Sequence, residues 1–157
     1  MKPIRAEIEI EDRKTVEVID VTEHTADGVL KQVRLLAQLD DLFVFERDKD
    51  EPIGIEIERL TVLSLHAHRC RKVAVKVGWS HEVKEHHFSP AAHIHRVLLW
   101  AIGKHGFDLD EMARAKANLI IPGTESPLPK DAVVGSFVRH GECGLTLELT
   151  LKDFTNG

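Results

Sequence analysis

No stretch of this chain approaches the roughly 18 consecutive apolar residues of a membrane-spanning helix, so a helical integral membrane protein is excluded. The first residues, Met1-Lys2-Pro3-Ile4-Arg5-Ala6-Glu7, lack the basic start, apolar centre and small-residue cleavage site of a secretory signal, and cytoplasmic residence is expected. Cysteine is scarce. Cys70 and Cys143 are the only two, and they form neither a CxxC pair nor a metal quartet. Each is expected as a free thiol, buried or half-buried, because a disulfide framework is foreign to a cytosolic chain. Catalytic signatures are missing as well. There is no GxSxG, no HExxH and no Cys–His pair in a recognisable context, nor a GxGxxG or GxxxxGK loop for a nucleotide. No catalytic residue, metal or cofactor is therefore expected.

What is present is ordinary globular material. The 157 residues are 43% hydrophobic and 30% charged, enough for one domain or two small ones. The net charge of −5 is unevenly spread: residues 1–70 carry a net −6 and residues 71–157 a net +1, with 7 of the 10 histidines. An acidic first half argues against nucleic-acid binding there, which needs clustered Lys and Arg.

The chain reads as one pattern used twice. Ile4, Ala6, Ile8 and Ile10 alternate with Arg5, Glu7 and Glu9, the period of a half-buried strand. A polar turn at 11–14 leads to a second strand over 15–21. Thr25 or Asp27 then caps a helix whose apolar face is Val29, Val33, Leu36 and Ala37, with Leu30 at its edge. A short strand over 42–45 follows. In the last strand Leu63, Leu65 and Ala67 face inward, alternating with Ser64, His66 and His68.

The pattern then restarts without a flexible linker, since residues 68–72 contain no Gly, Pro or Ser, and the two copies should lie close together. Val73, Val75, Val77 and Trp79 form a strand, and 82–88 a weaker one after a turn at 78–81. Ser89-Pro90 has the form of a helix start. Ile94, Val97, Leu98, Ala101 and Ile102 give the helix its stripe, and Gly103 or Gly106 offers a left-handed cap. An inserted short helix over 108–117, a strand over 119–121 and the segment 133–138 precede the clearest strand, with Leu145, Leu147, Leu149 and Leu151 inward. Two hairpins around one helix put the first and last strands of each copy parallel at the sheet centre.

The histidines invite a metal hypothesis, because His86, His87, His93 and His95 fall within ten positions and His66 and His68 share a strand face. Zinc needs ligands converging at about 2.0 Å. His93 and His95, two apart on a helix, point about 200° away from each other. Solvated, pH-responsive surface histidines are the expectation. Trp100, at the edge of its helix stripe, suits either core packing or contact with the neighbouring copy.

Two β-β-α-β-β units followed by the tail Asp153-Phe154-Thr155-Asn156-Gly157 resemble the ubiquitin-like family. More narrowly, the chain resembles the bacterial tandem ubiquitin-like modifiers found in antiphage operons. The resemblance implies an α+β fold of two tandem β-grasp domains, spanning 1–69 and 70–157, the second ending in a conjugation tail over 153–157. It implies a non-enzymatic modifier joined through Gly157, with Phe154, Thr155 and Asn156 threading into partner enzymes. Those partners would be a ubiquitin-activating-like enzyme, a conjugating enzyme, a deconjugating isopeptidase and a target protein such as a phage virion protein, with no nucleic acid or membrane involved. The family usually shows two terminal glycines; here Asn156 precedes Gly157. A residue without Cβ suits a carboxylate that must enter narrow active sites. The alternative is an unconjugated tandem ubiquitin-like adaptor. A sulfur carrier ending as a thiocarboxylate is the third reading, though single-domain carriers have no use for a first domain.

Overall fold

A computed structural model of the chain describes residues 4–11, 13, 15–23, 25–53 and 62–152. It contains two four-stranded mixed sheets, each holding one long helix.

In the first unit, strands β1 (Ile4–Ile10) and β2 (Glu17–Val21) form an antiparallel hairpin. Helix α1 (Ala26–Ala37) follows, then β3 (Phe43–Glu46) and β4 (Val62–His68). The strand order is β2-β1-β4-β3, with β1 and β4 parallel at the centre, as the hairpin–helix–hairpin pattern requires. Thr25 begins α1 by accepting a hydrogen bond from the Gly28 N–H at 3.0 Å, satisfying one of the free donors of the first turn. Val29, Val33 and Ala37 of α1 pack on Ala6, Ile8, Leu65 and Ala67 of the two central strands. Leu30 and Leu36 flank that face, half-buried.

The second unit repeats the arrangement. Its strands are β5 (Val73–Trp79), β6 (Glu82–Phe88), β7 (Asn118–Ile120) and β8 (Gly144–Thr150), ordered β6-β5-β8-β7 with β5 and β8 parallel. Helix α2 (Ile94–Ile102) buries Ile94, Val97, Leu98, Ala101 and Ile102, the stripe read from the sequence. A short helix α3 (Glu111–Lys116), capped by Asp110, fills the insertion. Residues 134–137 make a single 3-10 turn rather than a ladder strand. Trp100 packs within its own unit, its ring centroid 5.4 Å from His86 and 5.9 Å from Phe88.

Two local expectations are overturned. Ser89-Pro90 does not start α2, which begins at Ile94 with His93 as its cap. The intervening backbone is instead used in a turn that holds other segments: the Asp48 N–H donates to Ala91 O, Val134 N–H to Ala92 O and Gly135 N–H to Pro90 O. The Ser89 hydroxyl donates to Lys49 O in the first unit. Tertiary partners thus outcompete the local helix signal. Neither Gly103 nor Gly106 is a left-handed cap; Gly103 is extended. Gly106 is needed for close approach, since a Cβ there would lie 2.3 Å from Trp100 O.

Candidate functional site

Phe154, Thr155, Asn156 and Gly157 lie outside the described residues. What leads into them is described. β8 sits between β5 and β7, with Leu145, Leu147 and Leu149 buried in the second core. Its last residue, Thr150, pairs with Asn118. The chain then leaves the ladder: Leu151 is half-buried against the core, and the Lys152 N–H donates to Thr150 Oγ1 at 3.1 Å. At this end β8 is paired with β7 alone, since the ladder to β5 stops at Glu148.

The second feature is the seam between the units. Leu65 and Ala67 of β4 face α1, so His66 and His68 must face the opposite side. That side was expected to be wet. It is not: His66 and His68 are each 1% exposed, and their ring centroids lie 5.6 Å apart. Phe45, paired across the ladder with His66, is also fully buried. The cover comes from the second unit. A Cβ on Gly135 would fall 2.4 Å from His66 Nε2, 2.9 Å from His68 Cδ2 and 3.0 Å from Pro90 Cβ. Alternation along one strand tells which residues share a face, but another unit decides whether that face is wet.

Polar contacts stitch the seam at both ends. At one, the Glu11 carboxylate accepts from the Arg69 N–H at 2.9 Å and from Arg69 Nε at 2.7 Å, and lies 3.5 Å from His68 Nε2. Arg69 also reaches His140 Nδ1 at 2.6 Å. At the other, Arg96 donates to Asp48 Oδ1 at 3.2 Å and to Asp48 O at 2.8 Å, and pairs with Asp50. The His93 N–H donates to Asp48 Oδ1 at 3.1 Å. Partial burial works to raise the Asp48 pKa, but these bonds from His93 and Arg96 hold the carboxyl below its ordinary value. His93 is therefore an interface residue rather than a free surface one.

His66 is the electrostatic outlier. Burial, followed by the positive character of His68 and Arg47, depresses its pKa from 6.5 to about 3, so the ring is neutral near pH 7. Neither of its ring nitrogens has a hydrogen-bond partner among the described residues. A cleft of about 420 Å³ adjoins it, lined by Glu9, Glu11, Arg13, Gly135 and Ser136. No three His, Cys, Asp or Glu side chains among the described residues are placed to hold a metal ion. Among the same residues no helix is long and apolar enough to cross a membrane.

The cysteines correct a further expectation. Cys70 and Cys143 are joined in a disulfide with Cα atoms 5.6 Å apart. They are 73 positions apart in sequence, but β5 and β8 run parallel and pair Ala74 with Gly144. Cys70 lies shortly before the start of β5, and Cys143 immediately precedes β8. The parallel central pair, itself readable from the sequence, is the signal that brings them together.

No curated protein matches the chain. The sequence profile described as BilA ubiquitin-like domain 2 matches residues 74–152, half of the chain, covering the second unit from the second residue of its first strand to the residue before the tail. On that match the chain belongs to the BilA ubiquitin-like domain 2 family.

Proposed function

We propose that this chain is a ubiquitin-like modifier, activated at the carboxylate of Gly157 and joined by partner enzymes to lysines of target proteins, in defence against phage. The observation that carries the reading is the family match over the unit whose central strand leads into residues 153–157. The chemistry is a transfer in three steps. The carboxylate attacks the α-phosphorus of ATP, giving an acyl-adenylate and releasing pyrophosphate. A cysteine thiolate of the activating enzyme displaces AMP, leaving a thioester that passes to a conjugating enzyme. A target lysine amine then attacks the carbonyl, expelling the thiolate and forming an isopeptide bond. An isopeptidase hydrolyses that bond and frees both proteins. Catalysis belongs to the partners, and this chain supplies an unbranched acyl end and a docking body.

In this reading residues 1–69 form a first unit that serves as spacer or recognition surface, and residues 70–157 form the unit that engages the enzymes in the cytoplasm. The seam supports their acting as one body, because it buries Phe45, His66 and His68 on the outer face of the first sheet. The experiment compares the full chain with a variant lacking Gly157, each incubated with host extract, magnesium and ATP. Higher-mass adducts that require both ATP and Gly157 are expected. Failure of both forms to react, with the activating and conjugating enzymes supplied, would leave the tandem adaptor as the better account.

A further inference from the structure

We infer that the Cys70–Cys143 bridge is a reversible modification site, opened by low-mass thiols at Cys143 and not at Cys70. The two sulfurs occupy unlike surroundings. Cys70 is 4% exposed and belongs to the core of the second unit. Cys143 is exposed, in the turn that precedes β8. Thiol–disulfide exchange requires the attacking sulfur to approach in line with the S–S bond, so access selects which sulfur is attacked.

Cys70 is flanked in sequence by Arg69, Arg71 and Lys72, and cations beside a sulfur stabilise a departing thiolate. Arg69 and Arg71 are paired with Glu11 and Glu51, so access rather than charge carries the selectivity. Glu142 adjoins Cys143 in sequence. The exchange proceeds in two displacements. A thiolate RS⁻ attacks Sγ of Cys143, forming a mixed disulfide there; the Cys70 sulfur leaves with the bonding pair and takes a proton from water. A second RS⁻ attacks the sulfur of the bound R group, releasing RSSR and the Cys143 thiolate, which is protonated in turn. The protein bridge is reduced by two electrons, and two RSH are oxidised to RSSR.

The position gives the exchange a structural consequence. Cys70 stands at the joint between the units, and its N–H donates to His68 Nδ1 at 3.0 Å, inside the seam. Opening the bridge unties that joint from the turn that launches β8, the strand preceding the tail. Bridges that form in reducing compartments are typically transient and redox-sensing, and an asymmetric, accessible bridge at a joint suits that use.

The test uses the full chain, purified without reductant. It is incubated in glutathione buffers of graded reduced-to-oxidised ratio, quenched with an alkylating agent and mapped by peptide mass spectrometry. The expected result is glutathione on Cys143 with alkylated Cys70 in the same molecules, at intermediate ratios. Glutathione on Cys70, a bridge intact at the most reducing ratio, or two free thiols in the starting protein would each overturn the proposal. As a second readout, glutathione disulfide should modify the Cys70→Ser variant roughly tenfold faster than Cys143→Ser, in which the remaining thiol is buried. Equal rates in two variants with wild-type circular dichroism would contradict it.

Discussion

Gly135 has no room for a side chain. A methyl group there would enter the contact between His66, His68 and Pro90, with the nearest atom at 2.4 Å. Close-packed surroundings yield to such an insertion only by shifting neighbours. Gly135→Ala is therefore expected to lower stability by about 1–3 kcal/mol. Urea unfolding checks this, and an unchanged midpoint would mean the seam is loosely packed. His66 makes a second residue-scale prediction. Its pKa is depressed in the fold to about 3 from 6.5, while the unfolded chain takes up the proton below 6.5. Stability from this site is complete above pH 6.5 and is lost as pH falls from there toward 3. The loss is on the order of a few kcal/mol. Around the ring lie His68 on its own strand, Arg47 after β3, and Glu9 and Glu11 from β1 and its end. His66→Leu should flatten the fall of the urea midpoint across that window; parallel curves for variant and parent would refute the assignment.

Among the elements, β5 and β6 and the stripe of α2 are where the sequence predicts them, because each is decided within its own unit. Val73, Val75 and Val77 alternate, and the ladder to β6 begins as soon as the hairpin turns at Ser80 and His81, both left-handed. The start of α2 is illegible for the opposite reason. Ser89-Pro90 carries a sound local signal, but Asp48, Lys49 and Gly135 claim that backbone from distant positions. Histidines 66 and 68 look like solvated residues in the sequence for the same cause. The tail residues Phe154 to Gly157 can be singled out from the sequence as candidates; the central strand that leads toward them is defined by the ladder. The disulfide escapes a sequence reading because the expectation of a reducing cytoplasm outweighs the parallel pairing that juxtaposes the cysteines. Its closure around a 73-residue separation leads to an element-scale prediction. Reduction should cost about 4 kcal/mol through the gain in unfolded-chain entropy. Paired guanidinium titrations with and without reductant measure this, and coincident curves would show that the bridge constrains nothing.

At the scale of the whole molecule, the two β-grasp units are held by contacts that no single repeat contains. Arg69, held by Glu11, reaches His140, while Asp48 and Asp50 reach Arg96 across more than forty residues of sequence. A seam this polar at its ends and closely packed beneath Gly135 fixes how the first unit sits relative to the strand that leads into the tail. If the chain is a modifier, the first unit travels with the second as one object, and the only bond made to another protein is at Gly157. The most direct test is to digest the ATP-dependent adducts with a protease and sequence the branched peptides. One kind of branch is expected, a target lysine joined through its ε-amine to the carboxyl of Gly157. Branches through an internal residue of this chain, or adducts that persist when Gly157 is deleted, would contradict the modifier reading.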